Sequence, residues 1–393
     1  MNVPKISSKT SLFLLLLVIS TLTIIPYLGL TNFHTKGEPR EAIVAVSMLQ
    51  NDNWILPINN GGDIAYKPPF FHWCIAALSL PVGEVTEFTS RLPSALAAIL
   101  MAIVCFLFFA KRSRNDIAFL ASLLLLSGFE VHRAAMASRV DMVLTCFIVL
   151  AMLQLLFMSI ATLTKGPVGI VLPCAVIGIF LLFQKVSVWK AFYKIIPIAL
   201  LSCILPLLWY YAAYQQGGEA FLRLVMEENV DRFLGKMSYG SHEQPIIYYV
   251  YITLAGWLPW SLLVIMSLFT LKYKRPQSTV KLYWERFKDY ITHMDKMRLF
   301  SLLSIVIIFV FYCIPKSKRS VYILPIYPFI AYFLAEYMLF LLKQRPRIWR
   351  IFSIFIAFIG GFLLVVLTIV KSGIIDKYVM SSTSDISHYV TAL

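Results

Sequence analysis

Long apolar stretches follow one another along the whole chain and are separated by short polar segments. A bilayer core of about 30 Å needs about 20 apolar residues in a helix, and most of the stretches approach that length. The runs are continuous rather than alternating, which favours helices over strands. The pattern predicts an all-α polytopic integral membrane protein, a single domain over residues 1–393, with about eleven transmembrane helices. The apolar stretches lie at 11–30, 70–82 (a shorter one), 91–110, 116–130, 140–163, 168–183, 193–214, 246–271, 299–314, 320–342 and 351–370.

Basic residues between the stretches orient the predicted helices. The segments 272–298 and 343–350 are rich in Lys and Arg, and the positive-inside rule therefore places both in the cytoplasm. Alternation from these two segments puts the loop 215–245 and the tail 371–393 outside. On the same side, residues 31–70 form the first external loop.

Composition agrees with a membrane protein and excludes other classes. The chain is 59% hydrophobic and 14% charged, whereas soluble domains carry about 25% charged residues. The net charge of +15 comes largely from short loops, so we attribute it to the positive-inside bias and expect no nucleic-acid partner. The six cysteines form no C-x-x-C pair and predict neither a zinc knuckle nor a disulfide framework. The first stretch follows Lys5 and Lys9 without a small-residue cleavage site, which indicates a signal anchor with a cytoplasmic N-terminus.

Two basic turns break the positive-inside rule. Alternation places Lys165 and the pair Lys318-Arg319 on the external side, where excess positive charge is not expected. A single lysine there is more often an anchor that snorkels to the interface. An arginine, however, can bind a phosphate through two parallel hydrogen bonds. These turns, with Tyr322 just after the second, are candidate anion sites.

Polar residues at three further boundaries could carry chemistry. Glu38 opens a short amphipathic helix whose positive end keeps the carboxylate ionised, so it could act as a general base or cation ligand. The local sequence alone slightly favours a helix cap in water. Lys67 precedes two prolines that fix the chain direction. Asp141 and Arg139 form either part of a site or a local salt bridge, and His242 is either a surface residue or a metal ligand.

Seven segments occur in a recognisable order: GEPREAIVAVSMLQNDNWILPINNG, AYKPPFFHW, RLPSALAAI, SRVDMVLTCF, ATLTKGPVGI, GWLPWS and KSKRSVYILPIYPFIA. Over about residues 11–345 they resemble the polyprenyl-phosphate-sugar-dependent glycosyltransferases of the GT-C fold. The similarity is greatest to the bacterial aminoarabinose transferases that modify lipid A, relatives of the protein O-mannosyltransferases. The resemblance implies an enzyme of the bacterial cytoplasmic (inner) membrane. It would transfer a sugar with inversion, on the periplasmic face, from polyprenyl (undecaprenyl) phosphate to a lipid A-type, glycan or protein acceptor.

The resemblance also implies roles for individual residues. The candidate catalytic residues are Glu38, Arg40 and Asp141. The implied contacts to the donor phosphate are Lys67, Lys165, Lys318, Arg319 and Tyr322. The motifs do not establish a cofactor. The cofactor considered is a divalent metal ion, with His242 as its candidate ligand.

The chain departs from the family pattern at several places. Gly37 stands where a second acid is often found, and Tyr66 stands where the lipid A branch often has a glutamate that binds metal with a histidine. Met142 to Leu163 runs without a polar break, where the family has a loop and another helix. The chain also ends soon after its last apolar stretch, without the large external domain common in relatives. The alternatives are a lipid or oligosaccharide transporter or flippase, which would need ionisable residues within its spans, and an inactive truncated relative.

Overall fold

The computed structural model describes residues 8–59, 61–154, 157–231, 243–269 and 280–371. These parts of the chain are almost entirely helical. The first eight helices are α1 (Lys9–Ile24), α2 (Gly37–Asn51), α3 (Phe70–Ser79), α4 (Glu87–Arg112), α5 (Asn115–Ser127), α6 (Phe129–Ala135), α7 (Val140–Leu153) and α8 (Met158–Lys165). They are followed by α9 (Val168–Phe183), α10 (Val188–Met226), α11 (Tyr248–Gly256), α12 (Trp260–Leu268), α13 (Val280–Thr292), α14 (Lys296–Cys313), α15 (Tyr327–Gln344) and α16 (Pro346–Lys371).

Short irregular elements connect the helices. Two 3-10 helices cover Ile25–Tyr27 and Ser320–Ile326, and a π-helical turn covers Glu227–Asp231. The strands β1 (Ile58–Asn59) and β2 (Asp63–Ile64) pair antiparallel, with Ile58 opposite Ile64. This hairpin lies between α2 and α3 and closes the first loop of the chain.

Among the described residues, six helical segments are long and apolar enough to cross a membrane. They contain α1, α4, α10, α14, α15 and α16. The pairs α5–α6 and α11–α12 are bent by 68° and 109°, and counting each pair as one span gives eight. The helices α3, α7 and α9 are apolar but shorter. The prediction of an all-α polytopic protein is therefore confirmed, whereas length and composition of the helices do not establish a count of eleven.

The apolar run from Met142 to Leu163 is not one helix. Helix α7 ends at Leu153, and Gln154 next to it has an extended backbone. A separate helix, α8, begins at Met158. The sequence gives little warning of this break because, apart from the hydroxyl residues Thr145, Ser159 and Thr162, only Gln154 interrupts the hydrophobic residues. The two halves pack against each other, so the segment turns back rather than continuing in one direction.

The core is built around α4, which packs against α5 and α7. Its inward positions carry small side chains, among them Ala95, Ala98 and Ala102, which are all fully buried. Small residues let helices approach closely, and close packing is the main source of helix association in a membrane. Larger buried side chains such as Phe106 and Phe109 fill the remaining space. The other neighbours of α5 include α15.

The two bent helix pairs meet at their breaks. The backbone N–H of Phe129, just after the bend at Gly128, donates to the carbonyl of Leu258 at 3.1 Å. An ideal Cβ placed on Gly128 would lie 3.6 Å from the carbonyl oxygen of Gly256. Backbone groups freed by a helix break in lipid must find partners within the protein. Here one break supplies a partner for the other.

Packing between distant segments creates the site. Helix α2 packs on α3, α3 packs on α4, and the 3-10 helix Ser320–Ile326 packs on α7. Charged residues from the first loop therefore come close to residues from the second half of the chain.

Candidate functional site

Glu38 is buried in the first turn of α2, where it forms an ion pair with Arg91 of α4. Both side chains are 2% exposed, and Arg91 Nε lies 3.0 Å from Glu38 Oε1. The backbone N–H groups of His34 and Ser138 also donate to this carboxylate, at 2.9 and 3.1 Å. Burial alone would raise the pKa of Glu38, but the hydrogen bonds from Ser138 and Arg91 outweigh it and the pKa is lowered. Glu38 is therefore ionised and held by three donor residues.

Arg91 fastens α4 to the segment that leads into α2. Its Nη1 donates to the carbonyl oxygens of Leu28 and Thr31, each at 2.8 Å, and its Nη2 donates to that of Asn32 at 2.8 Å. A planar guanidinium can serve several acceptors in this way, whereas a lysine ammonium cannot reproduce the fork. Sequence reasoning missed Arg91, although a buried arginine in an apolar helix implies a partner.

Glu41, one turn further along α2, is a second buried carboxylate of this helix, and the sequence analysis assigned it no role. It is 2% exposed, and its Oε1 accepts a hydrogen bond from Lys67 Nζ. Its Oε2 lies 2.7 Å from Nε2 of the equally buried His72. Burial raises the pKa of Glu41, but the charge of Lys67 and the bond to His72 overcome this effect and lower it. Arg40 is more exposed, with its Nη2 3.9 Å from Glu41 Oε1.

Asp141 at the start of α7 is a further buried carboxylate near Lys67. Its Oδ1 accepts a hydrogen bond from Lys165 Nζ, and its Oδ2 lies 3.9 Å from Arg139 Nε. The guanidinium of Arg139 also lies over Gly37. An ideal Cβ on Gly37 would be 1.8 Å from Arg139 Nη1, so a side chain at position 37 would occupy the space that Arg139 takes.

A cavity of about 440 Å³ opens beside these ion pairs. Lys67 and Lys165 are both in its wall, and Lys165 Nζ lies 4.5 Å from the centre of the Tyr322 ring. The Tyr322 ring stacks in turn on Tyr312, with centroids 5.6 Å apart. The remaining lining residues are Tyr66, Pro68, Pro167, Val168, Val171, Glu228, Asn229, Phe311, Pro315 and Ser317. The cavity therefore combines two lysines with a largely apolar and aromatic wall.

The structure brings some of the predicted residues together and leaves others apart. Lys67, Lys165 and Tyr322 all line the cavity, and Asp141 contacts one of these lysines. Lys318 is 4% exposed and its Nζ donates to the carbonyl of Pro315 at 2.6 Å, so its charge is turned into its own loop. Arg319 is half-buried and is not in the wall of this cavity. The roles assigned to all these residues remain predictions.

The metal prediction rests on a residue that the structure does not cover. His242 lies outside the described residues. Within the described ranges, no three His, Cys, Asp or Glu side chains are grouped so that they could hold a metal ion. Tyr66, at the position where the lipid A branch often has a glutamate, lines the cavity with a phenol ring rather than a carboxylate.

Comparison with known proteins gives relatives and a shared fold. No protein-family model matches the chain. An uncharacterized protein of Aquifex aeolicus is 28% identical over 346 residues, which cover 83% of this chain and 64% of that protein. The undecaprenyl phosphate-α-4-amino-4-deoxy-L-arabinose arabinosyl transferase of Shewanella sediminis is 26% identical over 351 residues, 83% of this chain and 60% of that protein. The chain thus spans somewhat less than two thirds of the length of these relatives.

The crystal structure of ArnT from Cupriavidus metallidurans bound to undecaprenyl phosphate superposes with a TM-score of 0.71 at 20% identity. The match covers 93% of this chain and 66% of that protein. The apo state of the same protein gives a TM-score of 0.70. The described chain therefore has the fold of ArnT, the GT-C fold that the motifs predicted.

Proposed function

We propose that this chain, a relative of the arabinosyl transferases with the fold of ArnT, is a membrane glycosyltransferase. Its donor is a sugar carried on a polyprenyl phosphate such as undecaprenyl phosphate. The acceptor is a lipid A-type molecule, another glycan or a protein, and the reaction takes place on the periplasmic face of the bacterial inner membrane. The homologues and the ArnT structure with bound undecaprenyl phosphate support the donor class.

One observation carries the proposal: two lysines from distant segments enter one apolar cavity. A phosphate on a lipid chain needs positive charge for its head and an apolar surface for the isoprene units next to it. Lys67 and Lys165 provide the charge, and residues such as Val168 and Phe311 provide the apolar surface. Tyr322 lies against Lys165 and restricts where its ammonium can go.

The chemistry that these groups can support is displacement at the sugar carbon. The bond between C1 of the sugar and the phosphate oxygen breaks, and the polyprenyl phosphate leaves with the electron pair. An oxygen of the acceptor forms the new bond to C1 from the opposite side, which inverts the configuration. Negative charge grows on the leaving phosphate, so cations already in place beside it stabilise the transition state more than the ground state. Lys67 and Lys165 are the candidates for this role.

An acceptor hydroxyl must also lose its proton. Asp141 is a buried carboxylate in contact with Lys165 of the cavity wall, which makes it our first candidate for the base. Glu38 keeps its predicted catalytic role as the alternative, with Arg40 on the same helix. The two assignments differ in their expected effects. Asp141→Asn should abolish transfer while the protein still binds undecaprenyl phosphate. A purely structural Glu38 would make Glu38→Gln lose activity only in proportion to folded protein.

The donor is tested with purified protein in lipid nanodiscs. We expect wild-type protein to bind undecaprenyl phosphate, and Lys67→Met and Lys165→Met each to weaken binding at least about tenfold, since each removes one charge-assisted contact. Lys111→Met is the matched control, because Lys111 is an exposed lysine in the last turn of α4. Equal binding by all four proteins would contradict the proposal.

The acceptor is tested in cells. Mass spectrometry of lipid A and surface polysaccharide, with and without the gene, should reveal one sugar that is added only when the protein is present. An Asp141→Asn strain should match the strain without the gene. An unchanged set of glycans in every strain would count against transfer to these acceptors and leave a protein acceptor to be examined by glycopeptide analysis.

A further inference from the structure

Glu41 has no part in the proposed chemistry, yet it contacts Lys67, which lines the cavity proposed to bind the donor. The residue is buried on α2, and its two carboxylate oxygens have different partners: Lys67 Nζ on one side and His72 Nε2 on the other. An ionised carboxylate can only accept hydrogen bonds. We therefore assign the proton of the His72 bond to Nε2, so that both neighbours donate to Glu41.

The charges around the cavity wall are nearly balanced. Four cations are close enough to interact electrostatically with one another or with the nearby carboxylates: Lys67, Lys165, Arg40 and Arg139. Against them stand three carboxylates, Glu41, Asp141 and, in the cavity wall, Glu228. The loss of Glu41 would raise the excess of positive charge in this part of the site by one.

The negative charge beside Lys67 has no substitute in the neighbouring sequence. Position 66, just before Lys67, is a tyrosine, and position 37, just before Glu38, is a glycine covered by Arg139. Glu38 itself is bound to Arg91. Glu41 is thus the carboxylate in contact with Lys67; it is 2% exposed and does not line the cavity, whereas Lys67 does.

We propose that Glu41 is a positioning residue that acts through Lys67. It holds the lysine ammonium while no phosphate is bound, and it competes with phosphate for that ammonium when the donor or the released carrier is present. Its fixed negative charge therefore limits how tightly the carrier phosphate binds, which allows the carrier to leave after transfer. His72 fixes the orientation of the carboxylate. This inference rests on the proposed function.

The inference predicts a direction that a structural role does not. Glu41→Gln keeps the size of the side chain and removes the charge that repels phosphate. Undecaprenyl phosphate should then bind to the nanodisc-reconstituted protein about tenfold tighter than to wild type. If Glu41 served only to stabilise the fold, the same substitution would weaken binding or leave it unchanged.

Two further variants keep the test independent of folding. Lys67→Met leaves Glu41 without its cation, and it should bind the carrier more weakly than wild type. The double variant Lys67→Met/Glu41→Gln removes both partners of a buried pair, a change that proteins often tolerate. Because Glu41 acts through Lys67, its removal should no longer tighten binding in this background, and the double variant should bind undecaprenyl phosphate like Lys67→Met alone. Glu336→Gln is the matched control, because Glu336 also pairs with a cation, Arg298, and neither of these residues lines the cavity. That variant should bind like wild type.

The outcomes separate this inference from the function it rests on. No binding of undecaprenyl phosphate by wild-type protein would overturn the proposed function and this inference with it. Binding by wild type, together with equal or weaker binding by Glu41→Gln, would overturn the role of Glu41 alone. If Glu41→Gln does not fold, the comparison of the double variant with Lys67→Met decides. Clearly tighter or weaker binding by the double variant would show that Glu41 does not act through Lys67 and would refute the inference.

Discussion

Removal of Arg91 should destabilise the protein strongly, although Arg91 does not line the cavity. In the structure this guanidinium neutralises Glu38 and donates to three carbonyl oxygens of residues 28–32. Arg91→Met keeps the length and apolar volume of the stem but leaves a buried carboxylate without its cation. Breaking a buried pair from one side costs about 3–5 kcal/mol, and the three carbonyls that lose a donor add to this cost. The loss is a large part of a typical free energy of unfolding.

Thermal unfolding in detergent with a thiol-reactive dye measures the effect. Cys105 and Cys146 are buried in the core, so they react only when the helices separate. We expect Tm to fall in the order wild type, Arg91→Lys, Arg91→Met. The lysine variant retains the charge but not the fork of donors. The double variant Glu38→Met/Arg91→Met should recover part of the loss, because no charge is left unpaired.

The control for this experiment is at the other end of the same helix. Arg112 is exposed, and the contacts of its guanidinium within the described part of the chain are to the ring and carbonyl of Phe108 in the preceding turn. Arg112→Met should change the free energy of unfolding by less than about 0.5 kcal/mol. The reasoning is refuted if Arg91→Met and Arg112→Met unfold at the same temperature.

Three further predictions concern glycines and pH. Gly37→Ala places a Cβ where the flexible end of Arg139 lies; the arginine can move, so we expect an unchanged Tm but altered affinity for undecaprenyl phosphate. Gly169→Ala places a Cβ 2.4 Å from the backbone nitrogen of Thr162. A backbone atom cannot move aside as easily as the end of an arginine, so Tm should fall. An unchanged Tm would contradict this and show that α8 and α9 can separate at little cost. The pKa of Glu41 is lowered from 4.5 in the fold, so its contribution to stability is complete above the unfolded pKa and is lost as pH falls through the folded value. The difference in Tm between wild type and Glu41→Gln should then be constant from about pH 5 to about pH 8 and shrink only at lower pH; a difference that disappears near neutral pH would contradict the ionised state of Glu41.

The sequence predicted the class of fold because each helix carries its own evidence. A bilayer-length apolar run identifies itself whatever surrounds it, and the ordered motifs indicated the ArnT-like fold. The number of spans was harder to obtain. Runs that look continuous in the sequence are divided or redirected by the bends at Gly128 and after Gly256 and by the break after Leu153. Hydrophobicity determines whether a segment is buried in lipid, but it does not determine the direction in which the chain continues.

The site was predicted where a residue was unusual for its location. Lys165 is a basic residue on the predicted external side, and Tyr322 follows the basic pair Lys318-Arg319 on that side. Both Lys165 and Tyr322 line the cavity. Arg91, Glu41 and His72 were missed because their importance lies in partners far away in the sequence. Arg91 contacts a carboxylate 53 positions away and His72 one 31 positions away. A local pattern does not encode such pairs, although the burial of ionisable groups in an apolar environment demands them.

The contact between the two helix breaks also bears on how the protein is made. The N–H of Phe129 enters the membrane early in synthesis, but its acceptor, the carbonyl of Leu258, is translated much later. Until then this backbone donor at the first bend lacks the acceptor that the finished fold provides. A nascent chain that stops before residue 258 would therefore lack the hydrogen bond that joins the two bent helix pairs. Completion of the second pair supplies this acceptor, whereas α15, which packs on α5, is added to the bundle later still.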